Sequence, residues 1–491
     1  MLYTSVNVLR FGPRCAPFLA VALAASCAAP QSAPVVQPSA SMPASQGAAG
    51  VATPAKRNFN VESRSTGTRR ESEPPRYVRN LEKTDWFRGD GLDWLDVGLD
   101  YRLRYEYRDD DLRRPVATLD QPFLLRTRGY LGVRQRFDPF RGYIEYEDAR
   151  RVESQFPEDD RDFNRHELIQ AVAEIYLADA LEKDRPVRLQ AGRFAFEYID
   201  RRLIARNEWR NTTNNFQGFR AILGQSSNDW QVDLLALKPV QRLLTQLDES
   251  VANQWFYGVL GEWRRWSEVV TLQPYYLLLK QQRDGAAVDR DIHTVGLRGY
   301  GARGVTGLDY DAQGIVQFGD SGTDEHEAFA ATAELGYSFE HTWKPRAAAF
   351  LGYASGDERP GDGQSGRFER LFGFARPWSN DDYIQFENVF APKVRVEFQP
   401  HQRVRVDLGW NWYWLASETD RWNAVRLQDP TGQSGDFMGH EFDVRARVAV
   451  LDRIDLTIGY AHFWPGEFTE NLGRPQDTDF LYIEVSPRLL P

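Results

Sequence analysis

From residue 97 the chain alternates with a period of two. Val97, Leu99, Tyr101, Leu103, Tyr105 and Tyr107 are interleaved with Gly98, Asp100, Arg102, Arg104, Glu106 and Arg108. Successive side chains of an extended strand point to opposite faces, so one face is aliphatic and aromatic and the other almost wholly charged. The run is longer than the usual strand of about five or six residues. It suits a tilted strand crossing a bilayer, which needs roughly nine to eleven. The pattern returns. Val404, Val406, Leu408, Trp410, Trp412 and Trp414 oppose Arg403, Arg405, Asp407, Gly409, Asn411 and Tyr413. Phe442, Val444, Ala446, Val448 and Val450 oppose Glu441, Asp443, Arg445 and Arg447. A face carrying three tryptophans is costly in water and at home at a lipid interface.

Segments of this character begin near residues 97, 123, 141, 168, 187, 215, 229, 253, 269, 292, 306, 328, 346, 391, 402, 439, 452 and 478. The segment at 168–177 has a composition that also suits a helix; it is read here as a strand. The connections alternate in length. Short ones fall at 137–141, 224–229, 301–305 and 399–402, and long ones at 109–122, 153–167, 195–214, 239–252, 355–390, 416–438 and 464–477. Short periplasmic turns alternating with long outer loops are the mark of a transmembrane β-barrel. The expected fold is therefore all-β: an antiparallel barrel of about eighteen strands in the bacterial outer membrane.

Composition agrees. The longest nearly unbroken apolar run, Ala16 to Pro30, is too short for the roughly twenty residues of a spanning helix. Aromatics at 13% exclude disorder over most of the chain, and two cysteines exclude a disulfide scaffold. A formal charge of −10 (60 Lys+Arg against 70 Asp+Glu) speaks against a nucleic-acid partner.

The N-terminus reads as an address. Arg10 and Arg14 precede the apolar Phe18–Ala25, and small residues follow, as in a secretory signal cleaved after Ala28. Cys27, after Leu23-Ala24-Ala25-Ser26, offers lipidation as an alternative. The expected division is a signal peptide over 1–28, a flexible periplasmic linker over 29–90 and a barrel over 91–491. The linker lacks an apolar set that would offset the entropy of ordering it. Its alternative is a short plug or wall contact.

In such a barrel, function lies in the lumen. Parity turns Arg102, Arg104, Arg126, Arg128, Arg134, Arg136, Arg188, Arg298, Lys393, Arg395, Arg403, Arg405, Arg445 and Arg447 inward. They concentrate on the first two strands and on strands 14 to 16, which closure brings near one another. A stripe of arginines facing water gives an anion successive weak sites. The same parity turns Asp100, Glu106, Glu145, Glu147, Asp407, Glu441 and Asp443 inward, so a structural ion pair is the alternative role for each arginine. The acid runs Asp109–Asp111 and Glu158–Asp162 read as solvated loop tips, with divalent cation binding as the alternative. The seven histidines form no HExxH or HxH pattern, and no GxSxG, phosphate loop or cysteine cluster is present. No catalytic residue, metal or cofactor is expected.

One stretch carries a family likeness. Gln190-Ala-Gly-Arg-Phe-Ala-Phe-Glu-Tyr-Ile-Asp-Arg-Arg-Leu-Ile204 and Trp209-Arg-Asn-Thr-Thr-Asn-Asn-Phe-Gln-Gly-Phe-Arg220 resemble the alginate-export family of outer-membrane barrels. Gly192, Arg193, Arg202, Leu203, Trp209, Asn211, Thr212, Phe216, Gly218 and Arg220 match its pattern, whereas Phe194, Asn214 and Gln217 stand where the family usually has Gln, Arg and Asp. The resemblance implies eighteen strands, export of an anionic uronic-acid polymer through an arginine-rich constriction, and long gating loops. Arg193, Arg202 and Arg220 join the expected pore-lining set as a cluster at one loop base. Gly192, Leu203, Trp209, Phe216 and Gly218 are the expected structural residues of the motif.

The expected function is an outer-membrane channel passing an anionic polysaccharide or a related anionic solute through an arginine-lined pore, without enzymatic chemistry. A general or sugar-selective diffusion porin and a surface adhesin or structural protein are the alternatives. The expected partners are outer-membrane lipid, the anionic solute itself and, for polymer export, periplasmic secretion components.

Overall fold

The alternating segments form strands because each can bury its charged face inside a closed barrel and offer its apolar face to lipid. The computed structural model describes residues 71–488 apart from 85, 86, 115, 117, 265, 266, 268, 286 and 303–306. The expected signal at 1–28 and most of the expected linker at 29–90 lie outside the described residues. Eighteen long strands follow one another: β1 (Leu95–Asp109), β2 (Phe123–Val133), β3 (Phe140–Val152), β4 (Asn164–Glu182), β5 (Arg185–Phe194), β6 (Phe216–Leu223), β7 (Trp230–Gln241), β8 (Gln254–Trp263), β9 (Thr271–Gln281), β10 (Arg290–Ala302), β11 (Gly307–Ser321), β12 (Asp324–Ser338), β13 (Arg346–Ala354), β14 (Val389–His401), β15 (Val404–Trp414), β16 (Phe437–Leu451), β17 (Ile454–Pro465) and β18 (Thr478–Pro487). The largest offsets from the expected starts are at 168, where the strand begins at Asn164, and at 328, where it begins at Asp324. The segment with helix-compatible composition is the strand β4.

Each strand pairs antiparallel with the next, and β18 returns to β1, from Leu103 opposite Val485 to Asp109 opposite Asp479. Closure removes the sheet edges, which lipid would not tolerate because it cannot satisfy unpaired backbone groups. Burial is inverted relative to a water-soluble protein. Arg102, Arg104, Glu106 and Arg108 of β1 are buried, while outward residues such as Phe219 (64%), Val316 (51%) and Leu335 (53%) are exposed. No described helix is long and apolar enough to cross a membrane; the strands do so. On the outer face, Trp410 stacks against Trp464 at 5.5 Å and His440 at 5.8 Å, an aromatic patch of the kind that sits at headgroup level.

The turns at 134–139, 183–184, 224–229, 402–403 and 452–453 gather at one end, and the long loops 110–122, 153–163, 195–215, 355–388, 415–436 and 466–477 at the other. A five-residue helix α1 (Glu467–Asn471) lies in the last of these. The alternation has one exception: β11 and β12 meet at 322–323 at the long-loop end. There the loop 355–388 lays Gln364 and Ser365 alongside Glu325 and His326, covering the short hairpin.

The long loops 195–215 and 355–388 fold into the barrel. Several inward residues of β8 to β13, among them Phe256, Leu277, Ile292 and Phe350, are apolar and would face water in an empty lumen. Instead they form a core with Leu203, Ile204, Trp378 and Tyr383 of the two loops. The described part of the N-terminal region also contacts the wall. Arg79 and Asn80 pair with Val97 and Asp96 of β1, a 3-10 turn spans Leu81–Lys83, and Tyr77 and Val78 pack against Tyr130.

Candidate functional site

β1 and β2 crowd arginines onto one patch of inner wall, with Arg102 opposite Arg126 and Asp100 opposite Arg128. Buried like charges require counter-charges or oriented carbonyls. The loop 195–215 supplies both. Glu208 accepts from Arg128 at 2.7 Å and Arg126 at 3.4 Å. Arg102 donates to the carbonyls of Glu208 and Arg210, each at 2.8 Å, and Arg104 to that of Trp209 at 2.7 Å. The Asn211 amide reaches the carbonyls of Leu125, Arg150 and Asp162 at 2.9–3.0 Å. The wall arginines chosen from parity therefore seat a loop.

The motif glycines serve the same bend. Gly192 and Gly218 face each other across β5 and β6 with φ of +137° and +154°. A Cβ on either would stand 2.0 Å and 2.3 Å from the carbonyl oxygens of Ala171 and Ala236. Leu203 and Phe216 are buried in the loop-seating core, and the Trp209 ring lies beneath the guanidiniums of Arg104 and Arg376, 3.8 and 3.5 Å from its centroid.

Toward the long-loop end lies an open cleft. Arg104, Arg108, Arg113, Arg114, Arg151, Arg161 and Arg210 line it, against Glu106, Asp120, Asp162 and Asp382. Arg108 pairs with Glu106 at 2.8 Å, Arg113 with Asp111 at 2.8 Å, and Arg151 with Asp159 and Asp162 at 3.2 and 3.5 Å. Among the described residues, the side chains of Arg161 and Arg210 have no hydrogen-bonding or ion-pair partner. Burial, then the positive neighbours Arg242, Arg161 and Arg370, pull the Arg210 guanidinium below its ordinary value. The cleft holds more cation than its own acids neutralise, and an anion would relieve that repulsion.

The other expected pore residues fall in separate places. Arg395, Arg445 and Arg447 converge on Asp407 at 2.8, 2.7 and 3.5 Å. Arg405 lies opposite Arg447 on the inner face and is exposed. Lys393 donates to the carbonyls of Pro377 and Trp378 at 2.9 and 3.1 Å, seating the loop 355–388. Arg134 meets Asp96 at 2.7 Å near the turn end. Arg403 lies in the turn 402–403, off the wall, and pairs with Asp452 at 3.2 Å. The expected cluster of Arg193, Arg202 and Arg220 does not form. Arg193 pairs across the sheet with Gln217 and Ala171, on the outward face shared by the exposed Phe219, because its parity is opposite to that of Gln190. Arg202 meets Asp200 at 2.5 Å in the apolar core, 4.8 Å from the Phe350 ring. Arg220 stands on the inner wall between Asp233 and Glu73.

Six cleft arginines were outside the expected set: Arg108, Arg113, Arg114, Arg151, Arg161 and Arg210. The parity of β1 and β3 places Arg108 and Arg151 inward; the loop arginines leave no periodic signal. Asp111, Asp159 and Asp162 of the two acid runs act as counter-ions to cleft arginines, and no group of three or more His, Cys, Asp or Glu among the described residues is placed to hold a metal.

A family model for alginate export matches residues 93–481. No curated protein sequence matches the chain. Among solved structures it is similar to the outer-membrane protein OpdK of Pseudomonas aeruginosa, at 12% identity and a TM-score of 0.56 over 80% of this chain and 98% of that one. It is similar to OpdK solved with vanillate, at 13% identity and 0.54 over 80% and 98%. It is also similar to Pseudomonas aeruginosa OpdF in complex with glucuronate, at 12% identity and 0.54 over 80% and 98%. At such identities the likeness establishes a shared fold.

Proposed function

The chain belongs to the alginate export family of outer-membrane channels, and from that premise we propose that it selects carboxylate-bearing solutes, sugar acids or the uronate units of a polymer, through the arginine cleft. The observation that carries the reading is the pair Arg161 and Arg210, two cleft cations whose side chains make no hydrogen bond or ion pair among the described residues. A carboxylate fits a guanidinium by two parallel hydrogen bonds, and a partly dehydrated cleft strengthens the attraction. The ligands named for two similar channels, vanillate and glucuronate, are both carboxylates. A general diffusion porin is disfavoured because the loops 195–215 and 355–388 occupy the interior that such a pore keeps open. For a polymer, periplasmic secretion components would deliver the chain end; a small solute needs none.

Reversal potentials in planar bilayers under a salt gradient test the proposal. The expected result is an anion preference that falls when Arg161→Gln and Arg210→Gln are combined, with glucuronate lowering the salt current of the unaltered protein. Cation preference, or an anion preference indifferent to both substitutions, would overturn it.

A further inference from the structure

Residues 71–80 lie against the inner wall in the half of the barrel that carries the short turns, and their contacts have the chemistry of a bound ligand. The Glu73 carboxylate takes both arms of one guanidinium, Arg220 Nη1 at 2.7 Å and Nη2 at 3.3 Å. Arg220 is buried on the inner face of β6. Its Nη2 also donates to Asp233 at 2.9 Å and its Nε to the Tyr198 hydroxyl at 3.0 Å. Four residues on, the Tyr77 hydroxyl donates to Glu145 at 2.6 Å. The wall is shaped for this segment: a Cβ on Gly98 of β1 would stand 2.7 Å from the Tyr77 ring.

We propose that Arg220 is a second carboxylate site on the solute path and that Glu73 is its resident occupant, displaced when a carboxylate solute arrives from the short-turn side. The inference rests on the proposed carboxylate selectivity. The fork that holds Glu73 is the geometry by which an arginine recognises any carboxylate. With Asp233 already on the same guanidinium, Glu73 is the second carboxylate on one cation. Its side chain is 35% exposed, so the pair is screened and exchangeable. The segment thus competes with solute at the wall while the arginine cleft at the long-loop end is untouched.

The test uses the full chain in planar bilayers, with glucuronate added from the short-turn side and current block as the readout. Glu73→Gln removes the competitor, and half-maximal block is expected at a concentration lower by roughly five-fold, the scale of a partly exposed ion pair. Gly98→Val leaves the Glu73 and Arg220 side chains unaltered but evicts Tyr77, which loosens the segment holding Glu73 on Arg220, and is expected to act in the same direction. Arg220→Gln removes the site, so in that background Glu73→Gln is expected to leave half-maximal block unchanged. Heat-modifiable migration on gels confirms that each barrel is folded. If Glu73→Gln leaves the block unchanged while Arg161→Gln still alters selectivity, the resident-competitor inference is overturned and the carboxylate channel stands. If the unaltered protein shows neither anion preference nor block, both are overturned.

Discussion

Arg104 holds Trp209 twice: its Nη1 donates to the Trp209 carbonyl at 2.7 Å, and its guanidinium carbon stands 3.8 Å from the centre of the Trp209 ring. One residue of β1 thereby fixes both backbone and side chain of the loop that floors the cleft. Trp209→Leu removes the cation–π contact, worth about 1–2 kcal/mol when desolvated. The barrel is expected to form as before, with higher single-channel conductance and faster protease cleavage within 195–215.

Arg128 is a different kind of arginine. It joins Glu147 at 2.8 Å and Glu208 at 2.7 Å, with Glu147 fully buried. Removing one partner leaves an uncompensated buried charge, which costs about 3–5 kcal/mol. Arg128→Gln is expected to lower the thermal midpoint of heat-modifiable migration markedly, whereas Arg161→Gln leaves it within error. Equal effects of the two would refute the division between structural and cleft arginines.

The lipid face makes its own demand. Val316 lies mid-strand on β11, opposite Val295 and Phe329, and is exposed on the outer surface. Val316→Arg there costs about 2–4 kcal/mol at the bilayer midplane. Denaturant unfolding in lipid vesicles measures it, and a neutral result would place this face elsewhere than in lipid.

The Asp111–Arg113 pair should tolerate acid. Burial works against ionisation of Asp111, but Arg113 and its hydrogen bonds dominate, holding the carboxyl well below its ordinary 3.8. A depressed folded value gives stability that is present above the unfolded value and is lost as pH falls through the folded one. Protease resistance of the loop 110–122 is therefore expected to be flat from about pH 7 to 5. Asp111→Asn at neutral pH removes a charged hydrogen-bond acceptor, at a cost of about 1.5–3 kcal/mol, and should open the loop without acid.

Much of the barrel is legible in the sequence, because strand parity is a property of the backbone. Val97 to Arg108 sort into two faces whatever lies beyond them, and the three tryptophans of β15 declare a lipid side. Face, however, is not depth. Parity treated Arg403 like Arg405, yet one is a turn residue and the other stands on the wall. The motif pointed to Arg193, Arg202 and Arg220 together, and the register sends Arg193 outward while a loop carries Arg202 into an apolar core.

Sequence alone, then, determined the closed antiparallel wall with its charged interior and apolar exterior, since both follow from a period of two and the chemistry of the bilayer. Only the tertiary structure decided which charges remain available. Arg102, Arg126 and Arg128 seat a loop 80 to 108 residues away in the chain, and Arg161 and Arg210 enter the cleft from loops without any period. Counter-charges inside a barrel are assigned by closure, and the spacing of residues along a strand contains no record of which loop will fold inward to meet them.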